Sequence, residues 1–209
     1  EVIYGMKMSD GTIWAGGLYY SNFKDKVADN NEQTMGLRVG ASHGDFKWKV
    51  NLGLTNKAQN TTNGTFTNQP YTNVGLRYNV GKDHKFGLDY TMWNTKMEDL
   101  TGVETQNHAY QNIKLQYVNT TQADGNDFFY GIAVDQIDLK NKVADQKLTR
   151  LALPVWFGFE YNPNEMFTLR SSIKQTLWAQ SKDEATYPVG SVDGAFGGGS
   201  EMSAEPNNT

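Results

Sequence analysis

The sequence predicts an all-β protein folded as an up-and-down antiparallel transmembrane β-barrel. Three observations lead to this fold class. Ten segments alternate between apolar and polar residues, short and long connections alternate along the chain, and aromatic residues on the apolar face lie beside the short connections. Successive side chains of a strand point to opposite faces, so the alternation gives a sheet with one apolar and one polar surface. In a membrane barrel the apolar surface meets lipid and the polar surface lines the interior.

Composition agrees with this fold class. Of the 209 residues only 38% are hydrophobic, yet 12% are aromatic, whereas disordered chains contain few aromatic residues. No run approaches 18 apolar residues, so the sequence predicts no transmembrane helix. The net charge of −4 is too small to suggest a nucleic-acid partner.

The alternation is clearest in 46–55, FKWKVNLGLT, where every second residue is apolar. A helix is excluded there, because steps of three and four residues from Phe46 reach both Lys49 and Val50 and mix the faces. Pro154 interrupts one of the predicted strands, and we expect a bulge or a missing hydrogen bond at that point. The predicted strands are 2–8, 12–20, 33–42, 46–55, 71–80, 86–95, 109–118, 127–137, 150–161 and 167–178.

The connections between these strands alternate in length. Short ones, rich in Gly, Asn, Asp or Pro, are 9–11, 42–45, 81–85 and 162–166, with 119–126 a longer member of the same set. Long polar ones are 21–32, 56–70, 96–107 and 138–149. Membrane barrels have short turns on the periplasmic side and long loops outside, whereas a sandwich has little reason to sort its loops by length.

Aromatic residues provide the third observation. Rings at one level of the apolar face are typical of the girdle at a membrane interface, although aromatic residues also favour strands in general. The predicted girdle consists of Phe46, Phe86, Tyr117, Phe128, Tyr161 and Phe167.

On these features residues 1–178 resemble the porin-like outer-membrane β-barrel proteins of Gram-negative bacteria. The resemblance implies a place in the bacterial outer membrane, in contact with lipid and lipopolysaccharide, and no cofactor. Family members usually start and finish in the periplasm and end on an aromatic residue, whereas this chain would start and finish outside and lacks that ending. We therefore expect one strand to be missing at each end, so that the ten visible strands belong to a barrel of about twelve.

Two units are expected. Residues 1–182 form the barrel, and 183–209 form an acidic, glycine-rich external loop that leads to a missing strand. The loop contains five carboxylates and no lysine or arginine. It either folds inward against a basic wall or remains a mobile external loop.

Strand parity predicts which charged residues line the interior. The predicted pore-lining residues are Arg38, Lys47, Lys49, Arg77, Asp89, Lys114, Asp135, Glu160, Arg170 and Lys174; Lys7 has the same parity. Cations outnumber anions eight to three on this face, although the whole chain is negative. A water-filled interior can hold such charges, whereas a soluble core could not hold them unpaired.

Hairpin geometry predicts how these charges meet. Pairing Ala41 with Phe46 places Arg38 opposite Lys49, two cations that face each other unfavourably unless water or an anion intervenes. Two further pairings follow on the same face. Arg77 lies opposite Asp89 if Val80 pairs with Phe86, and Glu160 lies diagonal to Arg170. The basic strip around Arg38, Lys47 and Lys49 either attracts anions or is neutralised by an inserted loop.

The resemblance implies a porin that allows passive diffusion of small hydrophilic solutes, and the basic strip favours anionic ones. The alternative is a non-conducting structural, adhesion or receptor-type barrel that acts through its external loops. A soluble lectin-like β protein is a third reading. No catalytic or metal-binding residues are predicted, since His43, His84 and His108 lie in turns or at a strand end without metal-ligand spacing.

Overall fold

The computed structural model describes residues 1–26, 30–60, 64–68, 71–123, 126–164 and 167–183, and these form a single antiparallel sheet. Among them, no helix is long and apolar enough to cross a membrane. The strands are β1 Val2–Lys7, β2 Ile13–Asp25, β3 Asn30–His43, β4 Phe46–Asn60, β5 Gly64–Asn68, β6 Tyr71–Val80, β7 His84–Glu98, β8 Glu104–Ala123, β9 Asn126–Asn141, β10 Gln146–Asn164 and β11 Phe167–Asp183.

The strands follow one another across the sheet in chain order, which confirms the predicted up-and-down topology. The short strands β5 and β6 share one position between β4 and β7. β6 pairs with the first half of β4 and β5 with its last five residues, and both then pair with β7. Eleven strands therefore occupy ten positions, in agreement with the ten predicted. Within the described residues the sheet is open, with β1 and β11 as its edge strands.

The strands extend further than the sequence predicted, and most at the rim of the predicted long connections. There β2 continues to Asp25 and β3 begins at Asn30, two other connections shrink to 99–103 and 142–145, and 56–70 contains the end of β4 and all of β5. The alternation fades in these extensions because both faces carry polar residues, so periodicity does not reveal them. The connection 8–12, from the predicted short set, and the connection 99–103, from the predicted long set, are both five residues long. The predicted sorting of connections by length is therefore incomplete.

The apolar face of the sheet is the exposed face. On β8, Ile113 and Leu115 expose 47% and 57% of their surface, whereas Lys114 and Gln116 between them expose 1% and 2%. The same alternation continues on β9 and β10, where Phe128, Ile132 and Phe157 are exposed. A surface of this kind is unfavourable in water and suits lipid. We call the opposite, polar side the inner face.

Pro154 causes an irregularity in β10, as the sequence predicted. The register between β10 and β11 shifts between Leu153 and Pro154. As a result Trp178 lies opposite Leu153 on the apolar face, with 48% of its surface exposed, although simple alternation along the strand assigns it to the inner face. A ring at this position can lie at a membrane interface.

Candidate functional site

The candidate site lies on the inner face of β1 to β6, and its register differs from the prediction. His43, not Ala41, pairs with Phe46, because the turn holds only Gly44 and Asp45 and Gly44 adopts a φ of 54°. Arg38 is therefore opposite Asn51, and Lys49 is opposite Gly40. The predicted pairing of Arg38 with Lys49 is wrong, but the two residues remain diagonal neighbours on the same face.

A hollow of about 410 Å³ opens on this part of the inner face. Its floor contains Ala15, Gly17 and Gly40, and small residues at these positions leave room above the strands. Arg38, Lys49, Asn51 and Asn73 line it as well. The side-chain amides can donate or accept hydrogen bonds, whereas the two cations can only donate, so the hollow suits an anionic or strongly polar group.

The cations around the hollow differ in their partners. The Arg38 guanidinium donates to the Glu1 carboxylate at 2.8 Å and lies 4.9 Å from the centre of the Tyr19 ring. Lys47 and Lys49 form no ion pair with any described residue. Lys47 is opposite Arg77, and the stem of Lys49 lies over Gly75. The excess positive charge is therefore concentrated on the two lysines of β4.

Farther along the wall the charges are neutralised. Arg77 donates two hydrogen bonds to Asp89, at 2.8 and 2.9 Å, although Gly87 and not Asp89 is its direct neighbour. The predicted contact is thus present through a different register, in which Val80 pairs with His84 rather than Phe86. Gln116 adds a hydrogen bond of 2.6 Å to the same carboxylate.

Lys114 continues the neutralised part of the wall. It lies directly between Asp89 and Asp135 in the register of β7, β8 and β9. Its ammonium is 5.8 Å from the centre of the Trp156 ring. Asn112 donates to Asp135 from the neighbouring row. This arrangement buries a lysine between two carboxylates, which is the environment a buried ammonium needs.

The remaining predicted inner residues lie on β10 and β11. Glu160 pairs directly with Arg170, which donates from Nε at 2.8 Å; the sequence predicted a diagonal contact instead. Lys174 is opposite Trp156. Sequence reasoning missed Lys85, Asp127 and Arg150, which share the inner face by register and could have been found from strand parity.

Apolar clusters also occupy the inner face, which the sequence did not predict. One contains Val118, Phe129, Ala133 and Trp156, and another contains Tyr110, Ile137, Leu139 and Leu148. In the first, Phe129 and Trp156 lie over Gly158 and Gly131 of the adjacent strand. Aromatic rings therefore fill the space that the glycines leave on the wall.

Three of the predicted girdle residues form one row on the exposed face together with Tyr78, which was not predicted. Phe46, Tyr78, Phe86 and Tyr117 are successive partners across β4, β6, β7 and β8. Phe86 and Tyr117 are 5.1 Å apart between ring centres. Phe128 pairs with Phe159 and Tyr161 with Leu169, in other rows. The ring of Phe167 lies outside the described residues, as does the segment 184–209.

The turns and strand ends are held by local hydrogen bonds. Hydrogen bonds from the Thr101 side chain and the Val103 amide lower the pKa of Asp99. Those from Thr12 likewise lower the pKa of Asp10. His43 shares a hydrogen bond with Thr12, and His84 shares one with Tyr117, both at 2.8 Å. His108 is opposite Thr95 on β7 and Asn141 on β9.

Comparison with solved structures identifies the same architecture elsewhere. OmpT of Vibrio cholerae, an outer membrane protein folded in vitro and in trimer form, matches with a TM-score of 0.54 and 18% identity over 87% of this chain and 53% of that one. A mutant of the same protein with loop L8 deleted matches with a TM-score of 0.48 and 17% identity over 86% of this chain and 59% of that one. The first of these matches shows that the chain has the fold of an outer-membrane β-barrel. The chain spans about half the length of the structures it matches. No family model and no curated protein matches the sequence.

Proposed function

We propose that this chain is part of a pore in the bacterial outer membrane through which small hydrophilic solutes diffuse, with anions preferred. The observation that carries the proposal is the orientation of the sheet, with large apolar side chains exposed on one face and ionisable ones on the other. An inner face with this many charges favours water as its neighbour. The lipid and lipopolysaccharide of that membrane would then surround the exposed face.

Anion preference is supported by the two lysines of β4. Lys47 and Lys49 lie on the inner face beside the hollow, whereas Arg77 is matched by Asp89 and Arg170 by Glu160. One unit charge attracts an anion at contact by about 1 kcal/mol in bulk-like water and by more where low-dielectric walls exclude water. Two adjacent lysines are enough to bias diffusion without trapping the solute.

A second candidate is a barrel that does not conduct and acts through its external surface. The apolar clusters on the inner face favour it, because Val118, Phe129 and Trp156 are almost fully buried. Continued around a closed barrel, packing of this kind would fill the interior. The wide floor of Ala15, Gly17 and Gly40, on the same face but nearer the β1 edge of the sheet, argues for an open passage instead.

Conductance separates the two candidates. The full-length protein, purified in detergent, is inserted into a planar lipid bilayer between potassium chloride solutions of different concentration. The pore predicts stepwise current and a reversal potential displaced towards that of chloride. Insertion without current, verified by protease protection in vesicles, would overturn the pore and favour the non-conducting barrel.

The direction of the reversal potential tests the preference separately. A displacement towards the potassium potential would retain the pore and overturn anion preference. Because salt screens charges over about 3 Å at 1 M and about 10 Å at 0.1 M, the preference for chloride should be greater at the lower concentration.

A further inference from the structure

The hollow on the inner face of β1 to β6 combines two kinds of polar group. The cations Arg38 and Lys49 line it beside the side-chain amides of Asn51 and Asn73. Its volume of about 410 Å³ lies in the usual range for small-molecule sites, about 300–1,000 Å³. The hollow is therefore large enough for an organic solute that carries several polar groups.

Arg38 and Lys49 form the charged part of the hollow. They are diagonal neighbours, since Arg38 is opposite Asn51 and Lys49 precedes Asn51 by one alternation. Diagonal neighbours lie about 7–8 Å apart, within reach of long side chains, so one acid group can contact both cations. The guanidinium carbon of Arg38 lies 4.9 Å from the centre of the Tyr19 ring, which holds the guanidinium against the wall.

The charge of the hollow matches a carboxylate better than a phosphate. One carboxylate, that of Glu1, already contacts Arg38, so the two cations together keep a single unit of positive charge. A second carboxylate neutralises that unit, whereas a phosphate monoester carries about 1.5 to 2 negative charges at pH 7 and exceeds it. The Arg38 side chain is 52% exposed, so its remaining N–H groups can bind a second acid group.

The amides form the second part of the hollow. Asn51 and Asn73 are direct partners between β4 and β6. Nδ2 of Asn73 donates to Thr91 Oγ1 at 2.9 Å, so the oxygen of this amide is the atom that remains available. Oδ1 of Asn51 is buried and accepts no hydrogen bond from any group that the structure describes. A buried acceptor without a donor is unfavourable, so this wall favours a ligand with O–H groups.

We propose that the hollow is a binding subsite for a sugar acid, a molecule with one carboxylate beside several hydroxyl groups. The carboxylate binds between Arg38 and Lys49. Arg38 turns towards the acid group and uncovers the oxygen of Asn51, its direct partner, and the hydroxyls of the ligand then donate to Asn51 and Asn73. Ile3, which also lines the hollow, contacts the carbon atoms of the ligand.

The subsite adds a preference among solutes to the preference for anions. The inference rests on the pore proposed above, because a site on the inner face is reached through the water-filled interior. A small inorganic anion such as chloride uses only the cations. A sugar acid uses the cations and the amides together and therefore stays longer in the hollow.

Equilibrium dialysis of the full-length protein in detergent tests the inference with radiolabelled D-glucuronate as the probe. Unlabelled D-glucose, which lacks the carboxylate, and butyrate, which lacks the hydroxyls, should each compete at least about tenfold more weakly than unlabelled D-glucuronate. D-Glucose 6-phosphate should also compete more weakly than D-glucuronate. Stronger competition by this phosphate would overturn the assignment of a carboxylate.

Two substitutions separate the two parts of the hollow. Arg38→Gln should weaken the binding of D-glucuronate about tenfold or more, because it removes hydrogen bonds between charged groups. Asn51→Leu should weaken it about two- to tenfold, since it removes a neutral hydrogen bond, and should lower the preference for D-glucuronate over butyrate. A merely structural role of Asn51 would leave that preference unchanged and would overturn its contact with the ligand.

A gain of binding provides a further test, because misfolding cannot produce it. Glu1→Gln removes the carboxylate that contacts Arg38 and should strengthen the binding of D-glucuronate about fivefold, the factor that corresponds to two unit charges in contact in water. Weaker or unchanged binding by this variant would contradict the place of the acid group at Arg38.

The lysine of the hollow has a matched control on the same face. Lys49→Gln should weaken the binding of D-glucuronate about fivefold. Lys85→Gln removes the same charge from the inner face of β7, outside the hollow, and should leave binding unchanged. Equal affinities of the two variants would overturn the inference. So would a wild-type protein that does not bind D-glucuronate, or that binds it no better than D-glucose and butyrate.

Failure of this inference and failure of the pore are distinguishable. Dialysis requires no current, so a protein that binds D-glucuronate but does not conduct contradicts only the pore. A protein that conducts and shows no preference for D-glucuronate contradicts only the sugar-acid subsite.

Discussion

Tyr19 and Tyr71 meet hydroxyl to hydroxyl at 2.9 Å on the inner face, although β3 and β4 separate their strands. The register explains this contact. Tyr19 pairs with Gly36, Gly36 with Gly53, and Gly53 with Tyr71. Each tyrosine ring occupies the space beside its glycine that a Cβ would fill, and the two hydroxyls meet near the glycine pair. One row thus ties four strands together beside the hollow.

Gly36→Ala should destabilise the barrel. A Cβ at this position would lie 2.2 Å from the Tyr19 hydroxyl and 2.3 Å from the Leu52 carbonyl oxygen, and the backbone atom cannot move away easily. Overpacking of this kind costs about 1–3 kcal/mol. Urea unfolding of protein refolded into lipid vesicles measures the change. Gly16→Ala is the control, because a Cβ there meets nothing closer than 3.7 Å; equal midpoints for both variants would contradict the packing described.

Much of the fold could be predicted from the sequence, and the register could not. Alternation has a period of two, so it assigns Arg38 and Lys49 to the correct face whatever the hairpin register. A shift of two residues leaves every face unchanged and alters every partner. This is the error made for both the β3–β4 and the β6–β7 hairpins, where the turns are shorter than predicted.

The Tyr19–Tyr71 row and the hollow depend on that missing information. Their residues come from four or more strands, and their contacts require three registers to be correct at once. The Arg77–Asp89 contact was nevertheless predicted correctly, because long side chains reach a diagonal partner as readily as a direct one. The glycines on the inner face were the available signal, since a strand glycine marks close approach by another group.

Asp89→Asn should destabilise the barrel more than loss of a surface carboxylate. The Asp89 side chain is only 4% exposed and is the acceptor for Arg77 and Gln116. Removing one partner of a buried ion pair costs about 3–5 kcal/mol, and water near Arg77 favours the lower end. Glu98→Gln, which breaks a solvent-exposed contact with Lys96, should cost much less, because water and salt screen such a pair. The same unfolding assay compares the two variants. Equal losses of unfolding free energy would mean that the contacts of Asp89 with Arg77 and Gln116 stabilise the barrel no more than a surface ion pair does.

Arginine on the two faces of β11 should have opposite consequences. Ile173 is opposite Phe157 on the exposed face, and Ser172 is opposite Gly158 on the inner face. Arginine in contact with lipid costs about 2–4 kcal/mol near the centre of the bilayer, whereas arginine in a water-filled interior is tolerated. Ile173→Arg should therefore lower the unfolding free energy in vesicles, and Ser172→Arg should change it little. The reverse order would place the polar face against lipid.

The direction of insertion is tested by single cysteines, since the chain has none of its own. Leu100→Cys and Lys142→Cys lie in connections predicted to be external, and Asp83→Cys lies in a turn predicted to be periplasmic. On intact cells a membrane-impermeant maleimide should label the first two and not the third. All three should react after the cells are lysed, which verifies that each thiol is accessible. Labelling of Asp83→Cys alone on intact cells would invert the assignment of the external and periplasmic sides.

The last prediction concerns the lysines of β4. Lys47 and Lys49 lack an ion pair among the described residues, whereas Arg38 already contacts Glu1. Lys47→Glu with Lys49→Glu should therefore reverse the local charge and shift the reversal potential of the reconstituted pore towards that of potassium. The shift should be greatest at 0.1 M salt, where charges act over about 10 Å.

The double lysine variant has a matched control on the opposite face. Lys140 of β9 and Lys147 of β10 are direct partners on the exposed face. Lys140→Glu with Lys147→Glu makes the same change of charge but acts outside the barrel, so any change in selectivity should be smaller. Both variants should still fold, which is verified by the change in electrophoretic mobility of the refolded barrel on heating. The comparison of the two variants then tests electrostatics alone. If the β4 variant conducts with the selectivity of the parent, then the solute passes beyond the reach of Lys47 and Lys49. Selectivity would in that case be set by residues of the barrel wall on the other side of the passage.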